Sequence, residues 1–409
     1  MKRKESNSSS KFAKYKVQQV LIVHNYYQIP GGEDTVVLNE KELLEKHGHK
    51  VVLYSRNNQE LKGKPLRKLL LPITMIFSVR TYRDISRLIR ENRIDLVHVH
   101  NTLSLISPSV YYAALRRRVP VVQTIHNFRL LCPAATLYRE GLCEDCIRQG
   151  LSCAIKHRCY RDSLLQTLGC VINLFLHRRI GVYQRLNYIC LTEFNRDKLL
   201  EMNKHGKQRI DQNKIYIKPN FVEIYRKVIP FAERKNQFIF AGRLDKTKGV
   251  KLLLEAWKEI ETNELILCGT GPEQSWCKDY IRENGLKNVK LLGLRTRQEV
   301  LELIAESKAL ILPTQWYEGF PMTIIESLAC GTPVIGSNIG NVGNILIDGV
   351  NGLTFQYNSI TGLREAVSRL FDMCGTSRNY YESHYSGEDN YQLLYSIYEQ
   401  ASYNNQIVR

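Results

Sequence analysis

The stretch from Trp316 to Ile335 constrains the fold of this 409-residue chain more than any other. Before it, the apolar run Ala309–Leu312 has the length of a buried strand and stops at a proline. Pro321 suits the first turn of a helix, and Gly331 suits the position just past its end. A second apolar run begins at Pro333. The order strand, loop, helix, strand predicts a parallel sheet with a ligand site at the carboxyl ends of its strands.

The loop of this segment has the chemistry of a phosphate site. Amide groups at a helix start lack intrahelical partners and lie at the positive end of the helix dipole. Here they belong to Gly319, Phe320, Met322 and Thr323. Glu326 lies about two turns beyond Glu318, so the two carboxylates do not form an acid–base pair on one helix face. We expect Glu318 to face a sugar and Glu326 to face hydroxyl groups such as those of a ribose, although two solvated glutamates would also fit.

Strand and helix patterns alternate through residues 238–333, which predicts a doubly wound parallel sheet. Arg243 and Lys248 both follow the first strand, and two fixed cations there can neutralise a diphosphate without a metal. The second strand ends in the glycine turn Gly269-Thr-Gly-Pro-Glu273. Further along, Asp348-Gly-Val-Asn-Gly352 predicts a hairpin-like turn.

The first half of the chain has the same alternation. The strand Val20–Val23 leads into Pro30-Gly31-Gly32 and then a helix. Paired glycines allow a ligand to approach the backbone closely, although they also occur in simple turns. His126 ends the predicted strand 120–126 and Asn127 follows it, at a place where a histidine can contact substrate or cap a loop.

The length predicts two domains. We expect a disordered basic tail (1–16), an N-terminal Rossmann-like domain (17–219) with a cysteine-rich insertion (127–162), a linker (220–237), a C-terminal Rossmann-like domain (238–386) and a C-terminal helix (387–409). Tyrosines and leucines at helical spacing indicate that this last helix packs on another part of the chain, which we expect to be the N-terminal domain.

The net charge of +18 is concentrated in the first 200 residues, which hold 33 Lys and Arg against 16 Asp and Glu. This imbalance favours a polyanion or an anionic membrane surface as partner, a well-solvated basic surface being the alternative. The basic amphipathic segment 66–91 suits a membrane surface or a helix packed on a sheet. The first sixteen residues are unlike a signal peptide, and the apolar runs are too short to span a bilayer. We therefore expect a cytoplasmic protein, peripheral on the inner face of the membrane.

Five cysteines fall within residues 132–159. Cys143-Glu-Asp-Cys146 has zinc-ligand spacing, and Cys132 and Cys159 could complete a tetrahedral thiolate site. Small buried hydrophobes or a redox pair are the alternatives. A sulfur-rich zinc site is usually closed, so its role would be structural, holding an otherwise coreless insertion.

Three motifs occur in order in the second half, namely Gly242-Arg-Leu-Asp-Lys-Thr-Lys-Gly249, Gly269–Glu273, and Glu318–Glu326 followed by Ala329-Cys-Gly-Thr-Pro-Val. Together they resemble the family 4 (group 1) retaining glycosyltransferases of the GT-B fold. The cysteine segment is similar to a subgroup met in bacterial capsule and exopolysaccharide clusters. The resemblance implies two Rossmann-like doubly wound parallel-sheet domains facing across a cleft. It also implies that the N-terminal domain (17–219) binds the acceptor and the C-terminal domain (238–386) binds the nucleotide sugar.

The same resemblance assigns roles to individual residues. It implies a catalytic set of Glu318, His126, Arg243 and Lys248. It implies a donor-binding set of Gly31, Gly32, Gly242, Arg243, Lys248, Gly269, Gly271, Gly293, Glu318, Gly319, Phe320, Pro321, Met322, Thr323 and Glu326. Arg243 and Lys248 would hold the donor diphosphate, and His126 would contact the reacting sugar. The chain departs from the family pattern at Asn127 and at Gly340-Asn-Val-Gly-Asn344, which bears on sugar specificity.

The function that follows is a retaining, metal-independent hexosyl transfer from a nucleoside-diphosphate sugar to a hydroxyl of a lipid-linked saccharide, in bacterial surface polysaccharide synthesis. The partners would be the nucleotide sugar, the saccharide acceptor and the anionic inner membrane surface. The alternatives are an epimerase or phosphorylase on the same fold, and a non-catalytic basic protein that binds nucleic acid. We do not expect nucleic acid as a partner, because the basic half has no recognition helix or aromatic–basic stacking motif.

Overall fold

The computed structural model describes residues 16–28, 31–204, 209–224 and 226–407. They form two units. The N-terminal unit comprises the described residues of Met1–Ala135, Glu144–Pro219 and Glu388–Arg409, and the C-terminal unit comprises those of Thr136–Cys143 and Asn220–Gly387. Apart from Lys16, the predicted basic tail lies outside the described residues.

Two boundaries differ from the expected ones. The predicted linker 220–237 belongs to the C-terminal unit, where the buried Arg234 donates hydrogen bonds to the carbonyls of Cys330 and Gly331. Residues 136–143 of the predicted cysteine-rich insertion also group with that unit. These tertiary contacts explain why a polar stretch is not a linker here.

The sheet of the N-terminal unit has six parallel strands in the order β2-β1-β3-β4-β5-β6. They are β1 (Gln19–Tyr26), β2 (Lys50–Asn57), β3 (Leu96–Asn101), β4 (Val121–Ile125), β5 (Asn187–Cys190) and β6 (Ile215–Ile217). The interior of β1 is continuously buried, as expected for a parallel strand covered on both faces. The strand order reverses between β1 and β3, so ligands are expected outside the carboxyl ends of these two strands.

The described helices of this unit connect the strands and cover the sheet. They are α1 (Gly32–Lys46), α2 (Pro65–Thr74), α3 (Val79–Glu91), α4 (Ser109–Arg116), α5 (Asp145–Arg148), α6 (Ser152–Lys156), α7 (Leu164–Ile180) and α8 (Glu193–Leu200). Helix α1 starts with Glu33 and Asp34 and ends with Lys46, a charge order that matches the helix dipole.

The sheet of the C-terminal unit also has six parallel strands, in the order β12-β11-β10-β7-β8-β9. They are β7 (Gln237–Ala241), β8 (Glu264–Cys268), β9 (Val289–Gly293), β10 (Ala309–Leu312), β11 (Val334–Asn338) and β12 (Gly352–Gln356). This is the Rossmann strand order, with its switch point between β7 and β10. The two parallel sheets confirm the predicted α/β fold class of two doubly wound domains.

The helices of the C-terminal unit alternate with these strands. They are α9 (Val250–Trp257), α10 (Gln274–Glu283), α11 (Arg297–Glu306), α12 (Met322–Ala329), α13 (Gly340–Ile345), α14 (Ile360–Ser368) and α15 (Cys374–His384). The core on one face of the sheet packs around Trp257, which is almost fully buried and meets Phe238 edge to face.

The last helix, α16 (Gly387–Ile407), belongs almost entirely to the N-terminal unit. Leu394, Ile397, Tyr398 and Ala401 are buried in one cluster with apolar side chains of β1, β3, β4 and β5. These positions follow the three-to-four-residue spacing of one helix face. The N-terminal sheet is therefore covered in part by the last helix in sequence.

Candidate functional site

The switch point of the C-terminal sheet brings Lys248 to Glu318. Lys248 follows β7 and Glu318 follows β10, and Lys248 Nζ lies 2.7 Å from Glu318 Oε1. Gly249 makes this approach possible, because its φ is +73° and a Cβ there would lie 1.8 Å from the carbonyl oxygen of Pro313. Two residues predicted for the site thus form an ion pair across 70 positions of sequence.

The carboxylate of Glu318 is held by further contacts. Its side chain is almost buried, and the hydroxyl of Thr314 donates to the same Oε1 over 3.0 Å. The amide of Asn341 donates to the backbone carbonyls of Glu318 and Gly319, at 2.6 and 2.5 Å. Glu318 therefore presents a fixed acceptor that suits sugar hydroxyl groups. Spacing alone revealed neither Thr314 nor Asn341 as a contributor.

Arg243 has an acidic neighbour that the sequence analysis did not assign. Its guanidinium donates to the carboxylate of Asp245, whose Oδ1 accepts the backbone N–H groups of Thr247 (2.9 Å) and Lys248 (3.1 Å). Asp245 thus shapes the turn that carries Lys248. The Arg243 side chain is 61% exposed, so it can exchange Asp245 for an incoming phosphate.

The predicted donor-binding glycines Gly242, Gly269, Gly271 and Gly293 lie at the same edge of the sheet. A Cβ on Gly269 would lie 1.9 Å from the carbonyl oxygen of Gly242, and a Cβ on Gly271 would lie 2.3 Å from that of Leu244. Gly269 N–H also donates to Gly293 O. These glycines allow the loops after β7, β8 and β9 to pack backbone against backbone.

Helix α12 begins at Met322, one residue later than predicted, with Pro321 as its N-cap. The hydrogen bond from Ile324 N–H to Pro321 O is the first at this end of the helix, and the N–H groups of Met322 and Thr323 lie before it in the chain. The helix start keeps the positive dipole end expected of an anion site.

Glu326 lies further along α12, where Arg297 Nε donates to Oε1 over 2.9 Å. Burial raises the pKa of Glu326, and the Arg297 guanidinium opposes that shift. Glu326 is therefore half-buried and paired with one fixed cation, Arg297. It is not part of the Lys248–Glu318 ion pair.

In the N-terminal unit, the glycine turn is anchored by Asp34. Asp34 Oδ2 accepts the N–H of Gly31 over 3.0 Å, and Asp34 Oδ1 lies 2.7 Å from His24 Nε2 at the end of β1. Both anchoring side chains are buried. They were missed in the sequence, although an acid three residues after a cap position is a known signal of a helix start. Of the predicted Pro30-Gly31-Gly32 turn, Pro30 lies outside the described residues.

His126 and Asn127 follow β4 at the carboxyl edge of the same sheet. His126 Nε2 lies 2.9 Å from His100 Nδ1, and both rings line a cavity of about 60 Å³. Asn127 Oδ1 accepts the N–H of Arg129, and its amide nitrogen lies 3.5 Å from the hydroxyl of Tyr27. The structure therefore places Gly31, Gly32 and His126 at one edge of the N-terminal sheet.

The cysteines of the predicted zinc set differ in their burial. Cys132 and Cys146 are buried, whereas Cys143 and Cys159 are half-buried. Cys146 and Cys159 pack with Ala154 and Val171, so the segment shares a small apolar core with α7. This corrects the expectation of a coreless insertion, because α6 lies against α7 and supplies apolar partners.

An apolar face is exposed on the N-terminal unit. We call it the α2–α7 face, and its exposed large side chains are Leu69, Leu70, Ile73, Phe77, Leu164, Leu165, Leu168, Ile172, Phe175, Leu176 and Ile180. The two helices touch at Gly169, where a Cβ would lie 3.2 Å from Pro72. The predicted amphipathic segment 66–91 is thus not one helix, and the contribution of α7 was not recognised in the sequence.

An arginine groove lies beside this face. The ring of Phe77 contacts those of Tyr82 and Tyr112, both 5.9 Å away. Tyr82 in turn lines a groove of about 540 Å³ with Arg83, Arg87, Arg90, Arg116 and Arg117. In the described residues, no helix is both long and apolar enough to cross a membrane.

Comparison with known protein families covers both halves of the chain. Residues 221–386 match the family described as Glycosyl transferases group 1. Residues 30–148 match the family described as Glycosyltransferase Family 4.

Two curated proteins illustrate the similarity. An uncharacterized glycosyltransferase of Methanocaldococcus jannaschii is 32% identical over 182 residues, which is 44% of this chain and 50% of that protein. The match therefore spans half the length of that relative. A UDP-Gal:alpha-D-GlcNAc-diphosphoundecaprenol alpha-1,3-galactosyltransferase of Escherichia coli is 24% identical over 360 residues, which is 83% of this chain and 85% of that protein.

A solved structure shares the fold. The Anabaena protein HepE in complex with UDP and glucose superposes with a TM-score of 0.61, over 92% of this chain and 98% of that chain. Its sequence identity is 17%, so the likeness concerns the fold.

Proposed function

Because this chain belongs to the group 1 glycosyltransferases of the GT-B fold, we propose that it moves a sugar from a nucleoside-diphosphate donor to a saccharide hydroxyl, with retention at the anomeric carbon. The observation that carries this proposal is the Lys248–Glu318 pair at the switch point of the C-terminal sheet. In this pair, a lysine ammonium that can bind a diphosphate lies beside a carboxylate that can accept hydrogen bonds from sugar hydroxyl groups. The Anabaena protein with UDP and glucose supports a donor of this class.

Catalysis would rest on stabilising the leaving diphosphate. Arg243, Lys248 and the first amides of α12 provide positive charge where negative charge develops as the bond from the anomeric carbon to the phosphate oxygen breaks. The acceptor oxygen forms the new bond to the anomeric carbon, and its proton passes to the leaving phosphate oxygen. The side chains Arg243 and Lys248 supply the charge that a metal would otherwise supply.

Calorimetric titration with UDP, GDP and other nucleoside diphosphates tests the donor site. We expect one diphosphate to bind in the micromolar range and the Arg243→Ala, Lys248→Ala variant to lose that binding. The matched control is Arg282→Ala, an exposed arginine on α10 that pairs with Asp279 of its own helix. If the wild-type protein is folded and binds no diphosphate, the transferase proposal is wrong.

We further propose that the acceptor is a lipid-linked saccharide and that the enzyme works on the anionic inner face of the membrane. The name of the Escherichia coli relative, a transferase to a diphosphoundecaprenol-linked sugar, supports such an acceptor. The α2–α7 face offers apolar side chains for the bilayer, and the arginine groove offers charge for anionic headgroups. A role in capsule or exopolysaccharide synthesis fits this acceptor.

Vesicle flotation tests the membrane proposal. We expect salt-sensitive attachment to vesicles that contain phosphatidylglycerol, and loss of attachment in the Ile73→Ser, Phe175→Ser variant. The control is Leu294→Ser, Phe371→Ser, which removes two exposed apolar side chains from the C-terminal unit. Attachment that ignores lipid charge and salt, or an equal loss in both variants, would contradict the proposal.

A further inference from the structure

A buried polar cluster lies beneath His126 in the N-terminal unit. His98 and His100 are two residues apart on β3, so their side chains lie on one face of the strand. Glu40 reaches them from α1, and Lys218 follows β6. All four side chains are buried, and none is part of the donor site described above. Buried charges are costly unless they are paired, so the residues of this cluster are expected to form specific pairs.

The charge of Glu40 is fixed by Lys218. Lys218 Nζ donates to Glu40 Oε1 over 2.6 Å. Burial raises the pKa of Glu40, but the interactions with its neighbours, of which those with the Lys218 ammonium come first, lower it further, so the pKa of Glu40 lies below its usual value. Glu40 is therefore a carboxylate, which accepts hydrogen bonds and donates none.

The second oxygen of Glu40 faces His100. Glu40 Oε2 lies 3.4 Å from His100 Nε2, and neither atom has a hydrogen-bond partner in the described residues. Oε2 also lies 3.5 Å from His98 Nδ1, but both nitrogens of His98 are 2.7 Å from hydroxyl groups, those of Tyr398 and Thr124. The Glu40 carboxylate therefore favours a proton on His100 Nε2.

We infer that Glu40 and His100 form a relay that fixes the proton of His126 on Nε2 and leaves its Nδ1 as a hydrogen-bond acceptor. With its proton on Nε2, a neutral His100 has a lone pair on Nδ1. That atom lies 2.9 Å from His126 Nε2, which must then carry the proton of the bond. The remaining nitrogen of His126 has no proton. Glu40 and His100 are positioning residues in this relay.

Both imidazoles are neutral in the relay. Burial lowers the pKa of His100 well below its usual value and lowers that of His126 to about 3. A metal ion is a poor alternative occupant, although ligand atoms of Glu40, His98 and His100 lie within 4.8 Å of one another. The Lys218 ammonium already neutralises the carboxylate and would repel a divalent cation.

The relay has a consequence for sugar transfer, which rests on the function proposed above. His126 is partly buried and would accept a hydrogen bond from a hydroxyl of the reacting sugar through Nδ1. A neutral ring also avoids repelling the positive charge that builds up on the sugar in an oxocarbenium-like transition state. The relay would thus select the form of His126 that suits the reaction.

Glu40→Gln tests the relay because the Lys218 ammonium can donate hydrogen bonds but cannot accept them. Lys218 would hold the glutamine oxygen, so the glutamine NH₂ group would face His100 Nε2. His100 would then carry its proton on Nδ1 and donate to His126 Nε2, and the proton of His126 would move to Nδ1. One isosteric change should therefore invert the tautomers of both histidines.

Nitrogen NMR of the full-length protein with ¹⁵N-labelled histidine reads these tautomers directly. We expect Nε2–H on His100 and His126 in the wild type and Nδ1–H on both in Glu40→Gln. Thr124→Val is the control, because it removes a partner of His98 and should leave His126 unchanged. A wild-type His126 with Nδ1–H, or tautomers unmoved in a folded Glu40→Gln variant, would overturn the relay.

Kinetic measurements test whether the relay contributes to the proposed transfer reaction. With the transferase reaction as readout, Glu40→Gln should lower kcat about 10- to 100-fold, by analogy with the loss seen for partners that orient metal-ligating histidines, with little change in KM for the donor. Inverted tautomers with an unchanged kcat would overturn the role in transfer. The wild-type NMR spectrum needs no activity, so failure of the relay and failure of the proposed function are distinguishable.

Discussion

Glu33 shows how burial can set the charge of a side chain beside the glycine turn. It lies in the first turn of α1, and its Oε2 accepts a hydrogen bond from the hydroxyl of Tyr27 over 3.0 Å. Burial raises the pKa of Glu33 to about 8, and the hydrogen bond from Tyr27 opposes that shift. At neutral pH the folded protein therefore holds Glu33 largely protonated, whereas the unfolded chain ionises it.

Glu33→Gln should change how stability depends on pH. In the wild type, the folded state binds one more proton than the unfolded state between about pH 4.5 and 8, so stability falls as pH rises, by up to about 1.4 kcal/mol per pH unit. The variant should match the wild type near pH 4.5 and be more stable above pH 8.

Urea unfolding between pH 4.5 and 9 measures this effect. Glu42→Gln is the control, because Glu42 is an exposed residue of the same helix and should leave the pH slope unchanged. A Glu33→Gln variant with the same slope as the wild type would contradict the raised pKa.

Single residues also show which parts of the candidate site the sequence could not predict. The spacing of Arg243, Lys248 and Glu318 singled them out, because each follows a strand at a sheet edge that the strand order could predict. Asp245 and Asn341 were missed as contributors to this site, since their roles depend on turn geometry and on a contact across 23 residues. Local patterns do not specify such contacts.

Gly249 is the point where two elements of the C-terminal unit touch. It connects the turn carrying Lys248 to α9, and its φ of +73° is strained for any residue with a Cβ. A Cβ would also overlap the carbonyl oxygen at the end of β10. The closeness of these two backbones lets Lys248 reach Glu318.

Gly249→Ala should therefore destabilise the C-terminal unit more than Gly285→Ala does. Gly285 has a similar φ of +62°, but a Cβ there would have no atom within 4 Å. Strain alone should cost about 1–2 kcal/mol at Gly285, and the added overlap should bring the cost at Gly249 to roughly 3 kcal/mol or more. Denaturant unfolding compares the two, and equal losses would show that the β10 contact is unimportant.

At the scale of elements, strands were easier to predict than connections. The apolar runs at Ala309–Leu312 and Val20–Val23 lie in strands because buried parallel strands read as continuous apolar sequence. The structure has a turn at the predicted residues 348–352, where Gly349 N–H donates to Gly352 O, but this turn leads from α13 into β12 and does not join two strands of a hairpin. Segment 66–91 divides into two helices, and Ser78, which accepts a hydrogen bond from Thr81 N–H, caps the second.

At the scale of the whole molecule, the surface features proposed for membrane binding lie in one of the two units. Positive charge is concentrated in the first 200 residues, and the arginine groove and the α2–α7 face both belong to the N-terminal unit. The sequence indicated the charge asymmetry, but it could not indicate that α2 and α7 share an exposed face, because the two helices are far apart in sequence.

The last helix of the chain should stabilise the first unit. Leu394 of α16 is fully buried against the N-terminal sheet, so Leu394→Ala should cost the N-terminal unit about 2–5 kcal/mol. The two units have separate cores, and we expect calorimetry to resolve two thermal transitions. Leu394→Ala should lower only one of them, and a bound nucleoside diphosphate should raise the other.

Leu393→Ala is the matched control for this experiment. Leu393 is the neighbouring residue of α16 and is 37% exposed, so its loss should change stability by about 0.5 kcal/mol or less. A single thermal transition that both Leu394→Ala and the diphosphate shift would mean that the two units unfold as one cooperative body. If, with two transitions, Leu394→Ala lowered the one that the diphosphate raises, α16 would support the C-terminal unit instead, against the cluster that Leu394 forms with β1 and β3. The expected pattern follows from burial alone, because a helix stabilises the unit whose apolar face it covers, wherever it lies in the sequence.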